Sequence, residues 1–339
     1  LAAFLIQTAP AAVTAKTLVT SSGDVPGTCP SSFACTLRQA IVSTFTGDVI
    51  EFAPSITTVT ITADATLSLN NSITIDGANR VTITGNGNTS LFVVESGASV
   101  QLTGLTIQNG AAMLGGGIYV SEGGTLALNN STVTSNTASF AGAGIFNDGT
   151  ATLTNSTFSA NTGPDFGGGI FNEGTLTMSN CTVSGNSSTQ LGGGISIGSG
   201  TATMANITVS NNTSEYGGGV SGGYTTTISG SIIAGNTQRN FFDIFGPVTR
   251  LFSLGDASTL NLGALANNGG PTQTILPGPG STAINSIPCS DAPQTDQRGL
   301  IRPDPASAAS ATPCDVGAVE VGSVPDVIFV DGFELAASG

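Results

Sequence analysis

Apolar and polar positions alternate along residues 115–240 in short runs that return at a nearly fixed period. Leu128, Leu153, Met178, Met204 and Ile228 each stand five residues before Val133, Phe158, Val183, Val209 and Ile233. Two residues ahead of the first column come Leu126, Ala151, Leu176, Ala202 and Thr226, and Thr fills the position between in all units but the first. That i, i+2 spacing sends apolar side chains to one face of a strand and hydroxyls to the other. Ile118, Ile145, Ile170, Ile195 and Val220 each follow a Gly-rich triplet, while Asn136, Asn161, Asn186, Asn212 and Asn236 each close a V/F/I-x-x-N phrase, in steps of 24 to 27 residues. A unit near 25 residues is too short for a propeller blade and lacks helical periodicity. It predicts one coil of a right-handed, single-stranded parallel β-helix, an all-β solenoid. An immunoglobulin-like array of antiparallel strands would not hold one register over five units.

The triplets, such as Gly167 to Gly169, supply the positive φ or close backbone approach that a sharp corner needs. The Asn column is expected at the opposite corner, tolerating the left-handed region and forming a ladder of side-chain amides. Alternating pairs such as Val59/Ile61, Ile73/Ile75 and Val100/Leu102 carry the pattern toward the N-terminus. Eight to ten rungs from Val49 to Asn240, at about 4.8 Å each, give a rod of roughly 40 Å. Leu37 to Thr44 is the best helix and is expected to cap the first rung, since an uncovered rung exposes core and unpaired backbone. Phe241, Phe242, Phe245 and Phe252 are expected to do the same near the other end.

Composition narrows the setting. Only 8% of residues are charged, and apolar columns run throughout, which excludes disorder. The balance is 21 acidic residues against 7 basic, with no His, and no Lys or Arg lies between Gly104 and Ala234. Phosphate backbones would be repelled along the repeat body, so nucleic acid is excluded as a partner. No run after the N-terminus approaches the length of a membrane span. Cys29 and Cys35 can close locally ahead of the coils, and Cys289 and Cys314 after them, implying two disulfides and an oxidising compartment. Cys181 is left over and reads as a buried thiol, because no His exists to activate it. Leu1 to Ile6 is apolar and Pro10 to Ala15 ends in small residues, like the back half of a secretory signal cleaved before Lys16. The competing reading keeps Leu1, Phe4, Leu5 and Ile6 as a terminal strand that adds to the open end of another copy, giving a head-to-tail filament. The expected organisation is therefore a signal-like or donor segment 1–15, an N-terminal cap 16–48, coils 49–250, a closing region 251–322 and a tail 323–339.

Cys35-Thr36-Leu37-Arg38-Gln39-Ala40-Ile41 resembles the Cys-Ser-Leu-Arg-Glu-Ala signature near the N-terminus of many secreted bacterial β-helix proteins. The Gly-Gly-Gly-Ile and x-x-Asn phrases are similar to the repeats of polymorphic outer-membrane proteins. Leu265-Ala266-Asn267-Asn268-Gly269-Gly270-Pro271-Thr272-Gln273-Thr274, Asp296-Gln297-Arg298-Gly299 and Cys314-Asp315-Val316-Gly317-Ala318-Val319-Glu320 resemble the closing region of choice-of-anchor Q domain proteins. The resemblance implies secretion and a β-helix but no particular reaction. Residues 328–334 are similar to a short terminal tag seen on such proteins.

Pectate lyases and polysaccharide hydrolases share this predicted fold, so catalysis must be weighed. A lyase of that type needs a basic residue beside a calcium-binding carboxylate cluster, and a hydrolase needs paired carboxylates at a cleft. The repeat body has no base. Its acids are Glu122, Asp148, Asp165, Glu173 and Glu215, of which Asp148 and Glu173 occupy equivalent places in adjacent coils. The next coil has Gly198 there and no aromatic subsite is evident, so they read as solvated corner charges. Outward Thr150, Thr152, Thr175, Thr177, Thr201, Thr203, Thr225 and Thr227 form a grid of hydroxyls and methyls of the sort ice-binding β-helices present, although Thr is common on exposed strands. Asn-x-Ser/Thr triplets at Asn130, Asn155, Asn180 and Asn206 recur because the repeat does. The expectation is a secreted, non-enzymatic structural element at the cell surface, needing no metal or cofactor. Its partner is another copy or a cell-surface glycan.

Overall fold

The structure is a computed structural model that describes residues 15–29, 34–62, 66–223, 225–238, 243–255, 257–302 and 313–322. The chain winds as a parallel β-solenoid of about eight turns with three walls. Wall one stacks Lys16–Val19, Val49–Phe52, the first halves of Thr74–Thr84 and Ser99–Gln108, then Thr125–Asn129, Thr150–Thr154, Thr175–Ser179, Thr201–Ala205, Thr226–Ser229 and Thr249–Leu251. Wall two runs from Thr58–Thr60 through Thr132–Thr134, Thr157–Ser159, Thr182–Ser184 and Thr208–Ser210 to Ile232–Ile233. Wall three runs from Leu67–Leu69 to Ile244–Phe245. Among the described residues every pairing between strands of these walls is parallel; the only antiparallel contacts there are isolated bridges within residues 262–314. The inward columns of the sequence pattern, Leu128 to Ile228 and Val133 to Ile233 among them, are buried in one continuous core.

Three left-handed residues bend each coil. Asn130, Asn155, Asn180 and Asn206 turn wall one into wall two, Ser135, Ala160, Gly185, Asn211 and Gly235 follow wall two, and Gly115, Gly142, Gly167, Gly192 and Gly217 precede wall three. The left-handed Asn residues are thus those of the Asn-x-Ser/Thr triplets, not the Asn136 column assigned that conformation from sequence. The ladder residue sits one place after the bend, because a side chain just past it points into the coil.

There the amides stack. Asn136, Asn161, Asn186 and Asn212 each use backbone N–H and Nδ2 to donate to the Oδ1 of the next Asn, at 2.9–3.0 Å. Each Nδ2 also donates to a carbonyl of the preceding coil, for example Asn186 to Phe158 O at 2.9 Å. Gly110 N–H donates to Asn136 Oδ1 at the first rung. Asp243 Oδ1 accepts from Asn236 N–H and Nδ2 at the last, at 2.9 and 2.8 Å. A carboxylate suits that rung, since it accepts from Asn236 and has no N–H of its own that would need an acceptor beyond. Burial raises the pKa of Asp243, against the hydrogen bonds from Asn236.

Helix α1 (Leu37–Ser43) starts at a capping box in which Thr36 Oγ1 accepts from Gln39 N–H and Gln39 Oε1 from Thr36 N–H. Leu37, Ala40 and Ile41 bury against the first coils, and the Cys29–Cys35 disulfide pins the approach. The other end departs from expectation. Phe245 is 41% and Phe252 63% exposed, so neither plugs the last coil. Phe241 and Phe242 lie outside the described residues.

Residues 257–302 and 313–320 instead run back along wall two. Thr272 Oγ1 donates to Asn155 O (3.2 Å), Thr157 Oγ1 to Gln273 O (2.6 Å), Thr182 Oγ1 to Gln297 Oε1 (2.6 Å) and Ala318 N–H to Thr208 Oγ1 (3.1 Å). This strap buries the outward Thr157, Thr182 and Thr208. Ile232, the next residue of that outward column, joins Leu260, Ala283, Ile287, Cys314 and Val316 in a second core. The Cys289–Cys314 disulfide closes it.

A buried charge cluster ties the strap together. Asp296 accepts from Arg298 Nε (2.8 Å), Arg298 Nη2 (2.7 Å) and Glu320 N–H (3.1 Å). Arg302 donates to Asp315 O, Gly317 O and Glu320 Oε2 at 2.9, 2.8 and 3.3 Å. Burial lifts Glu320 to about 7 and raises Asp315.

The amide ladder should be energetically dominant among the polar contacts. Asn186→Leu strips the acceptor from two buried donors of Asn161, and at about 1–3 kcal/mol per orphaned group should cost at least about 2 kcal/mol in urea unfolding. The strap should loosen with rising pH. Folded Glu320 holds its proton beyond the ordinary carboxyl value of 4.5, so between there and about 7 the folded state binds more protons than the unfolded. Strap stability is full below that window and falls through it. Amide exchange at Asp315 and Gln297 should quicken from pH 5 to pH 7.5, and Glu320→Gln should flatten the change.

Candidate functional site

Three outer faces carry the side chains available to a ligand, and the solenoid sorts them by wall. On wall one, Thr150, Thr152, Thr175, Thr177, Thr201 and Thr203 are exposed. They stand in register as Thr150–Thr175–Thr201 and Thr152–Thr177–Thr203–Thr227. Adjacent rungs are about 4.8 Å apart and alternate residues of one strand about 6.7 Å apart. The array is not uniform. Ala127 borders it on the N-terminal side, Thr227 is half-buried, and the Thr225 hydroxyl donates to Gly200 O at 2.8 Å.

Wall two is the strapped face. Asn180 and Asn206 are buried, and Asn180 Nδ2 donates to Thr295 O at 2.8 Å, which removes both from any glycosylating enzyme in the folded protein.

Wall three holds what the sequence pattern did not disclose. Tyr119, Phe146 and Phe171 are the central outward residues of Ile118–Val120, Ile145–Asn147 and Ile170–Asn172, and their rings stack at 5.4 and 5.3 Å between centroids. Phe166 lies 5.8 Å from Phe171 and 5.7 Å from Phe140. Phe146 and Phe171 are buried and pack with Ala141 against Leu114, Tyr119 and Phe166 in a small core of their own, outside the coils. Tyr119, Phe146 and Phe171 share a column, whereas Phe140 and Phe166 come from the corner before the glycine triplet. Only the folded corner unites them. Edge-to-face and tilted ring pairs of this kind add about 0.5–1.5 kcal/mol each beyond their burial.

Asp148 and Glu173 follow this column at the next corner, one rung apart, and both lie outside the core. Glu173 leans over Gly198: its Oε1 is 3.0 Å from the point where a Cβ on Gly198 would stand, and the Phe171 ring edge is 3.1 Å from that point. Its carboxylate therefore tilts toward the coil beyond. Asp165 accepts from Gln190 Nε2 at 2.7 Å, so the coil between Asp165 and Glu215 interposes an amide. Among the described residues no group of three metal-ligating side chains converges. The assembly-strand residues Leu1, Phe4, Leu5 and Ile6 lie outside the described residues.

Cys181 occupies a position filled elsewhere by a serine ladder. Ser131, Ser156 and Ser231 accept from Leu105, Ser131 and Ile207 N–H at 3.1–3.2 Å and donate to carbonyls two residues back. The Cys181 thiol sits 3.2 Å from Ser179 O and 3.4 Å from Leu153 O, and burial pushes its pKa up to about 12.

The chain matches the family described as "Right handed beta helix region" over residues 34–213 and again over 89–246. No curated protein matches it. Among solved structures it is similar to one titled "Crystal structure of pectate lyase Pel9A", at 13% identity and a TM-score of 0.41, covering 91% of this chain and 97% of that one. No helix among the described residues is long and apolar enough to cross a membrane.

Cys181 should behave as a packing atom. The native protein should fail to react with a thiol reagent until unfolded. Cys181→Ser, which rebuilds the serine pattern, should shift stability by no more than about 1.5 kcal/mol.

Proposed function

We propose that this chain, which belongs to the right-handed β-helix family, is a secreted, non-enzymatic structural rod that presents its outer walls for binding at the cell surface. One observation carries the reading. The coil body from residue 81 to 237 contains no Lys, Arg or His, so the carboxylates at its corners have no basic partner there for proton abstraction. Asp148 and Glu173 hold equivalent places in adjacent coils, and the Glu173 carboxylate leans over Gly198 of the coil beyond. A hydrolase of the retaining type needs carboxyls about 5 Å apart and aimed at one bond. Two disulfides support an oxidising compartment. The hydroxyl wall and the aromatic wall are the faces offered to a partner, since the strap occupies the other.

Head-to-tail assembly is the second reading, favoured by the last coil. Thr249, Arg250 and Leu251 are all exposed, and Arg250 stands over the inward Ile228. This strand edge has no following coil among the described residues, so an incoming strand finds both unpaired backbone and apolar surface there.

Incubated with a panel of polyuronides and neutral glycans, the purified protein should release no reducing ends and no unsaturated products. Release that disappears in Asp148→Asn would make it an enzyme and end the main reading. Electron microscopy separates the second. Fibres that persist unchanged after deletion of residues 1–14 would defeat strand donation by Leu1 to Ile6.

A further inference from the structure

We infer that the aromatic wall is a docking surface for a basic, partly apolar segment of a partner protein. The inference rests on the reading of the protein as a binding rod and names the chemistry of what is bound. Three observations meet at one place. Met113 is 65% and Phe140 42% exposed, on neighbouring strands that pair at Ala112–Ala138 and Leu114–Ala141. Beside Met113, the Tyr119 ring and Val93 help line an open hollow of about 230 Å³. Burial, and after it the negative charges of Asp148 and Glu95, hold the Tyr119 hydroxyl above its ordinary pKa, so both carboxylates lie within electrostatic reach of that ring.

Charge chooses the occupant. The coil body carries six carboxylates and no cation from residue 81 to 237, so its field favours a cationic partner and disfavours an anionic one. A second copy suits the surface poorly: the chain has 21 acidic residues against 7 basic, and Lys16, Arg38, Arg298 and Arg302 already form ion pairs within their own fold. A Lys or Arg side chain fits both halves of the site. Its methylene stem lies along Met113 and Phe140 while its charged head reaches Glu95 or Asp148 across the Tyr119 ring.

The test uses the full chain and two labelled peptides, one alternating Leu and Lys, its counterpart alternating Leu and Glu, read by fluorescence anisotropy. The Leu–Lys peptide should bind, and binding should weaken about tenfold or more between ~0.02 and ~0.3 M salt. Phe140→Ser and the double change Glu95→Gln/Asp148→Asn should each weaken it about fivefold or more. Phe45→Ser, which removes a still more exposed ring at the N-terminal cap, should leave it unchanged. All these side chains lie outside the core, and unaltered circular dichroism confirms the fold. Asp148→Lys should shift preference toward the Leu–Glu peptide. Absence of Leu–Lys binding, equal binding of both peptides, or indifference to the carboxylate changes would each overturn the inference. So would a neutral oligosaccharide whose binding is lost in Phe140→Ser but kept in the carboxylate double variant, which would assign the wall to a glycan. None of these results bears on whether sugar products are released, so this inference can fail while the non-catalytic reading stands.

Discussion

Each coil of this protein is incomplete by itself, and everything else follows from that. Backbone groups of a strand, the amide of its ladder Asn and the hydroxyl of its ladder Ser all find their partners one coil away. Burying such groups unpaired would cost about 1–3 kcal/mol each, so the coils must be equal in length to within a residue or two and stacked in one register. The three left-handed bends per turn enforce that equality. At the C-terminal end of the ladder Asp243 replaces the missing amide carbonyl, and at the N-terminal end Gly110 N–H donates into it. Both are devices for ending a one-dimensional crystal of hydrogen bonds.

The strap solves a different problem. A solenoid wall of Thr and Ser has no need to be covered, yet residues 257–302 and 313–320 cover four rungs of one. They do so with side chains that match the rung spacing: Gln297 bridges two rungs, donating to Thr157 Oγ1 at 2.9 Å and accepting from Thr182 at 2.6 Å. The buried Asp296–Arg298 and Glu320–Arg302 pairs hold the strap's own turns. Breaking one partner of such a pair leaves a stranded charge, so the cluster specifies one strap conformation more than it stabilises the rod. Because the strap touches four coils, it also couples rungs that would otherwise sense only their neighbours.

What could be read from the sequence divides along the same lines. Inward columns such as Leu128 to Ile228 were legible because strand alternation is local and the repeat multiplies the signal. The corner Asn residues were legible as turn formers but were assigned to the wrong column, since Asn130 and Asn136 flank one short strand and only backbone dihedrals tell which bends. The aromatic cluster was hidden because Phe140 and Phe166 belong to a different phase of the repeat from Tyr119, Phe146 and Phe171. The strap contacts join residues more than 100 positions apart, and nothing periodic announces them. One clue existed: Ile232 breaks the outward Thr column of Thr157, Thr182 and Thr208, and an apolar residue on an exposed wall asks what lies over it.

The walls therefore differ in what evolution could change on them. Inward positions answer to both neighbouring rungs, so a change in volume at Phe158 or Met178 is felt above and below. Outward positions answer only to solvent or to a ligand, and a substitution there repeats along the rod only if the coil repeats. The hydroxyl wall keeps nearly the same residue in successive coils, as expected of a surface under weak constraint, where β-propensity alone favours Thr. Wall three does not. It reads Val93, Tyr119, Phe146, Phe171 and Ser196 along one outward column, placing rings at three consecutive rungs and ending them abruptly. This local departure from the repeat packs Phe146 and Phe171 with Ala141 into a small core outside the coils, with Leu114, Tyr119 and Phe166 against it, instead of leaving the rings in solvent.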